Sequence, residues 1–258
     1  MPVIVALGIS SIVALAAVRA EALTRDGAVA AILVGTAVLY GTGWPGGGML
    51  AAFFGFSTLV GRIALARGKA ADPVTERRNA RQVLANGSAA ALGALMELRV
   101  TGLGLWIVCG ALSAAAADTW ATSIGGFSRT DPRHLLSGRR VIRGTSGAVS
   151  FLGTLGALAG ASTVALAGGL AGGGTSLVIA GVSIGFGGML LDSLLGASLQ
   201  GRFECPRCAA TGERRIHTCG TPADRVGGLT WLDNDGVNAL STGLAALAAA
   251  GAWWTWAR

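Results

Sequence analysis

The sequence predicts an all-α protein, a polytopic integral membrane bundle of about eight transmembrane helices, and three observations predict it. Of 258 residues, 52% are hydrophobic and only 13% charged. The apolar residues come in runs of about 20, the length that crosses the hydrocarbon core of a bilayer, separated by short charged segments. Eighteen of the twenty Lys and Arg fall in alternate interruptions or in the span ends beside them, as expected where cytoplasmic loops retain positive charge.

The first run, "PVIVALGISSIVALAAV", has no basic segment before it and no cleavage site leading into a soluble domain, so it reads as a retained span. Spans are expected at 2–18, 27–42, 47–66, 79–97, 102–123, 146–168, 174–200 and 235–256. Trp44-Pro45 and the Gly-rich stretch 168–174 make two of the connections tight. The whole chain, 1–258, forms a single membrane domain with cytoplasmic loops at about 67–78, 124–145 and 201–234. The basic loops then lie in the cytoplasm and both termini outside, in the cell (inner) membrane. This topology accounts for the net charge of +7, which therefore carries no argument for nucleic acid as a partner.

Polar residues gather toward the expected cytoplasmic ends. Asp118, in "ALSAAAADTWATSIG", lies about one turn inside the boundary, and Asp192, in "GFGGMLLDSLLGASLQ", lies at similar depth. A carboxylate costs about 2.5–3.5 kcal/mol at a helix centre, so intramembrane acids read as functional by default. The fourth span begins "NARQVLANGS", placing Asn79, Gln82 and Asn86 on one face, and the last begins "DNDGVNALS", doing the same for Asn234, Asn238 and Ser241. Before the sixth span, Thr145, Ser146 and Gly147 offer backbone N–H groups at a helix start, where an anion can be cradled. Arg81, within the first turns of its helix, requires a phosphate or an acid as partner. Ser193 joins the candidate phosphate contacts, although for it and Ser241 an ordinary interhelical hydrogen bond is the competing reading. The glycines of "GALAG" and "GVSIG", at Gly156, Gly160, Gly181 and Gly185, read as close helix contacts.

Cys205, Cys208, His217 and Cys219 have the types to bind zinc. The short His-x-Cys spacing favours unpaired cytosolic thiols instead. No nucleophile elbow or Walker A sequence is present. Two carboxylates with amides, an anion-binding segment and arginines suit a magnesium-dependent phosphate site, since Mg²⁺ takes one or two carboxylates together with substrate phosphates. Phosphoryl transfer asks a protein chiefly for positioning and charge neutralisation. A soluble nucleotide reaches such a site from the cytoplasm and an apolar acceptor from the bilayer; a homo-oligomer is compatible with this.

The motifs "LTRDGAVAAILVGTAVL", "RNARQVLANG", "AADTWATSIGG", "VIRGTSGAVSFLGTLGALAGA", "LLDSLLGASLQ" and "WLDNDGVNALS" resemble, in order and over nearly the whole chain, domain-of-unknown-function family 92, the transmembrane protein 19 family. Its plant members are phytyl-phosphate kinases. The resemblance implies a prenyl-phosphate kinase that makes the diphosphate from a nucleoside triphosphate, CTP being favoured. It implies Asp118 and Asp192 as Mg²⁺-binding and catalytic acids, with Asn86, Asn234 and Asn238 supporting metal or phosphate. Thr145, Ser146 and Gly147 would lie against phosphates, and Arg81 would act as a charge clamp. Ser123 departs from the glutamate expected there, so that activity would be weak, would depend on another acid such as Asp233 or Asp235, or would be absent. A CDP-lipid-forming cytidylyltransferase and a lipid-phosphate transporter or flippase are the alternatives, the latter lacking polar residues that continue toward the outer face.

Overall fold

A computed structural model describes residues 1–69 and 77–257; the central part of the expected loop 67–78 lies outside the described residues. The apolar runs form α1 (Val3–Arg19), α2 (Arg25–Ala66), α3 (Ala80–Met96), α4 (Leu103–Gly125), α5 (Phe151–Gly168), α6 (Gly174–Ser198) and α7 (Asn234–Trp256). The long α2 is two arms, because Gly43 leaves the helical region with φ 63° and ψ −149° just before Pro45. A straight helix would hold Gly35 and Leu50 roughly 22 Å apart. Here a Cβ on Gly35 would stand 3.9 Å from a Leu50 methyl, so the arms fold back on one another. A π-helical turn, Gly169–Gly173, reverses the chain between α5 and α6 in the same way. A Cβ on Gly185 would lie 3.0 Å from that of Ala161.

Among the described residues, three helical stretches are long and apolar enough to cross a membrane: Arg25–Ala66, Leu103–Gly125 and Phe151–Ser198. At the centre stands α4, buried continuously from Trp106 to Ala117 and touching α2, α3, α5, α6 and α7. Its alanine run keeps it thin, which lets the glycines of its neighbours approach: Cβ atoms on Gly156 and Gly160 would come within 2.7 Å of Trp120 O and 2.6 Å of Ala116 O. Leucines and isoleucines such as Ile4, Leu33, Leu92 and Leu247 point outward, an exterior suited to lipid rather than water.

The connections at one end are tight, and those at the other are long except for the short link between α1 and α2. At the long end the chain after α1 meets the chain before α3, where Thr24 N–H donates to Arg78 O at 3.1 Å and Arg78 N–H to Ala22 O at 3.0 Å. Segments 126–150 and 199–233 cover the same end and add short strands to a chain that is otherwise mostly helical. β1 (Arg133–His134) pairs antiparallel with β2 (Ala148–Val149). β3 (Arg202–Glu204) lies between β4 (Thr211–Gly212) and β5 (Asp224–Gly227). The helix expected from 146 starts at Phe151 for this reason: Ala148 and Val149 are held in β2, and the Ser150 hydroxyl caps α5 by accepting from Gly153 N–H at 3.1 Å.

Candidate functional site

The packing of α4 on α6 decides where the two membrane acids meet. Along the contact, Cβ atoms added to Gly181, Gly185 and Gly188 would each stand 2.6 Å from Cys109 Sγ, Ser113 Cβ and Ala114 Cβ. Both sequences advance together, so the helices run parallel. One turn beyond the Gly188–Ala114 contact, α6 carries Asp192 and α4 carries Asp118. Asp192 is buried, Asp118 half-buried, and each feels the other's charge.

α7 supplies the hydroxyl and amide. Ser241 Oγ donates to Asp192 Oδ2 at 2.8 Å, and Thr242 Oγ1 reaches Ala85 O at 3.0 Å, which pins α7 to α3. Asn238 is buried one turn before, and its Oδ1 has no hydrogen-bond partner among the described residues. The Asp118 carboxylate likewise makes no hydrogen bond or ion pair there. Unpaired buried acceptors are costly, and two neighbouring carboxylates add repulsion. A cation between the two carboxylates would relieve that repulsion, and carboxylate and carbonyl oxygens are the donors that hard divalent ions take.

A third acid enters from the loop. Glu213, directly after β4, accepts from Ser146 Oγ at 2.5 Å and its charge acts on Asp192. Burial raises its carboxyl above the usual range; Ser146 and Gln200 pull it back and the Asp233 charge pushes it up again. The Gln200 amide is buried, yet its Nε2 makes no well-shaped hydrogen bond among the described residues. Gly147 brings the Ser146 turn down onto α6. With φ 72° it occupies the left-handed region, and a Cβ would stand 2.7 Å from Ala197 Cα, so no other residue fits without moving the turn.

The remaining candidates are placed as follows. Thr145, Ser146 and Gly147 do not open a helix, which corrects the expected anion cradle: the start of α5 lies beyond them and is capped by Ser150. Thr145 Oγ1 bonds Ile142 O at 2.7 Å. Arg81 pairs with Asp233 at 2.6 Å and Asp235 at 3.6 Å. Those acids, expected as substitutes for the one missing at Ser123, are thus engaged at the rim. Gln82 closes a capping box with Asn79, and Asn86 Nδ2 donates to Gln82 O at 3.0 Å. Asn234 is exposed at the first turn of α7, and Ser193 Oγ turns back to Met189 Sδ at 3.9 Å. Among the described residues, the side chains of Asn86, Asn234 and Ser193 make no hydrogen bond to Asp118 or Asp192.

Glu213 and Gln200 escaped the sequence reading. The signal available for Glu213 was slight, an acid beside Arg214 and Arg215 in a loop between Cys205-x-x-Cys208 and His217-x-Cys219. The cysteines themselves converge. The ligand atoms of Cys205, Cys208, His217 and Cys219 all lie within 4.8 Å of one another. Thr221 and His217 pull the Cys219 thiol down to about 6.

Similarity to known proteins follows the same extent of chain. A protein of Methanocaldococcus jannaschii described as an uncharacterized membrane protein is 31% identical over 193 residues, covering 75% of this chain and 81% of its own. Protein PGR of Arabidopsis thaliana is 27% identical over 271 residues, covering 92% and 91%. No solved structure matches. The family model described as integral membrane protein DUF92 matches residues 8–246, a span that holds Asp118, Asp192, Glu213, Asn238 and Ser241, and the chain belongs to that family of integral membrane proteins.

Proposed function

We propose that this protein is a membrane prenyl-phosphate kinase, transferring the γ-phosphoryl group of a nucleoside triphosphate, CTP in the first instance, to a prenyl monophosphate such as phytyl or geranylgeranyl phosphate. The observation that carries the reading is the convergence of Asp118 and Glu213 on Asp192 at the loop-bearing end of an apolar bundle, one helical turn from an Asn238 Oδ1 that has no hydrogen-bond partner among the described residues. In this reading the eight helical arms each cross the cell membrane, the basic loops and the site face the cytoplasm, and both termini lie outside.

Asp118 and Asp192, with Glu213 and the Asn238 carbonyl beside them, would hold Mg²⁺. The ion, when bound, supplies neutralisation of the triphosphate charge. Ser241 keeps Asp192 oriented through its hydrogen bond. Arg81, anchored by Asp233 at the rim, presents a cation to phosphate oxygens. The prenyl tail stays in the bilayer against the outward leucines, so only its phosphate enters the site. An oxygen of that phosphate attacks the γ-phosphorus, the bond to the β-phosphate oxygen breaks, and the nucleoside diphosphate leaves. The attacking oxygen is already anionic near neutral pH, so positioning and charge neutralisation suffice without a strong base.

The test uses detergent-solubilised protein with Mg²⁺, γ-labelled CTP or ATP, and a panel of prenyl alcohols and monophosphates. Labelled lipid diphosphate with nucleoside diphosphate release, absent in Asp192→Asn, is the expected outcome. Pyrophosphate release with a CDP-lipid would replace the kinase by a cytidylyltransferase. Nucleotide-independent movement of a lipid phosphate across vesicles, without phosphorylation, would overturn the enzyme reading in favour of a transporter.

A further inference from the structure

The loop that delivers Glu213 is built on three very short strands. Its buried apolar residues are few, chiefly Phe203 and Cys205 at the end of β3, and so small a unit ordinarily needs a staple. Two tight turns bring four ligand-type side chains to one point. In the first, Ala209 N–H donates to Cys205 O at 2.8 Å and Cys205 N–H to Ala210 O at 2.9 Å, with Ala209 in the left-handed region at φ 52°. In the second, His217 N–H donates to Thr221 O at 2.9 Å and Gly220 N–H to His217 O at 2.8 Å. Cys205 follows β3, Cys208 precedes β4, and Cys219 precedes β5, so the point of convergence ties all three strands.

We infer that Cys205, Cys208, His217 and Cys219 bind one zinc ion in a closed tetrahedral site that fixes the loop presenting Glu213. With zinc–sulfur bonds of about 2.3 Å and zinc–nitrogen bonds of about 2.05 Å, tetrahedral ligands stand about 3.8 Å apart sulfur to sulfur and about 3.6 Å sulfur to nitrogen. Cys219 Sγ lies 3.7 Å from Cys205 Sγ, 3.6 Å from Cys208 Sγ and 3.0 Å from His217 Nδ1. One sulfur approached by three others of the set is what a shared ion produces; a disulfide joins sulfurs in pairs. Three sulfurs and one imidazole select zinc among common divalent ions, and four protein ligands leave no open position, which makes the site structural rather than catalytic. The short His-x-Cys spacing, an obstacle in the bare sequence, is accommodated because the turn closed by Gly220 (φ 80°) lets His217 and Cys219 face the same way. This inference stands independently of the kinase reading.

The experiment is metal analysis of the full chain, purified in detergent without an affinity tag. About one zinc per chain is expected, falling at least tenfold in Cys208→Ser and in Cys219→Ser. Replacement by Co²⁺ should give the strong visible absorption of a tetrahedral thiolate site. Should those variants fold poorly, the wild-type protein gives the second readout: trypsin cuts after Arg214 and Arg215 should accelerate at least tenfold on chelation and slow again when zinc is restored. Zinc retained in Cys219→Ser, a metal-free chain with all four residues intact and reduced, or a pair of these cysteines found as a disulfide in the native protein would each overturn the inference. None of these readouts uses phosphoryl transfer, so failure here and failure of the kinase reading are separable.

Discussion

The two ends of the bundle use acids in opposite ways. At the tight end Glu97 spends both carboxylate oxygens on its own connection: Oε1 accepts from Gly102 N–H at 2.6 Å and Oε2 from Leu105 N–H at 3.1 Å, inside the first turn of α4. At the loop-bearing end Asp118, on the last turns of the same helix, accepts nothing among the described residues and faces another acid. One acid completes the backbone bonding of a helix start, where a negative charge is favourable. The other is held where protein alone leaves it unsatisfied. The same helix therefore carries an acid with both oxygens occupied at one end and an acid left open at the other, and the difference lies in what their oxygens already touch.

The sharpest break in that comparison is Asp118→Asn or Asp192→Asn. Each should lower kinase turnover by about a hundredfold or more, the scale seen when a group stabilising developing charge is removed. Thermal stability measured in detergent without Mg²⁺ should hold or rise, since one of two repelling carboxylates is gone. If either variant kept full turnover while well folded, Asp118 and Asp192 would be no more functional than Glu97.

How far this contrast could be read beforehand differs between its parts. Asp118 and Asp192 were legible because a carboxylate inside an apolar run is conspicuous whatever the tertiary structure. The reversals at Gly43 and at 169–173 were legible from glycine and proline. The parallel register of α4 and α6 was not: Gly185 and Gly188 are visible as small residues, but the helix they meet is decided by packing. Glu213 was illegible for a stronger reason. Nothing local buries it; its environment exists only once Gly147 seats the Ser146 turn on Ala197. Strands of two to four residues such as β1, β2 and β4 have too few positions to show an alternating pattern, and Asn86 and Gln82, amides on a promising face, turned out to serve their own helix.

At the tight end the matching change is Glu97→Ala. It removes two hydrogen bonds to a charged acceptor and leaves Gly102 and Leu105 N–H without it, so stability should fall by about 1–3 kcal/mol. Turnover per folded molecule should stay unchanged, because Glu97 lies at the opposite end of α4 from Asp118. Denaturation monitored by tryptophan fluorescence beside a single-turnover assay separates the two quantities. A large loss of turnover with intact stability would show that the ends are coupled and would blur the division drawn above.

The smallest effect belongs to Arg81→Gln. Its ion pairs with Asp233 and Asp235 are largely exposed, with 68% of the Arg81 side chain accessible, and exposed pairs contribute about 0–1 kcal/mol. Stability should therefore barely move. Asp233 also caps α7 by accepting from Gly236 N–H at 3.1 Å, so the helix start is kept without the arginine. If Arg81 meets the nucleotide, the KM for CTP should rise about three- to tenfold with kcat nearly unchanged, and the difference should shrink as salt is raised, because exposed charges are screened. A KM equal to wild type would assign Arg81 to the Asp233 rim alone, and would leave the phosphate-facing part of the site to Asp118, Asp192 and Glu213.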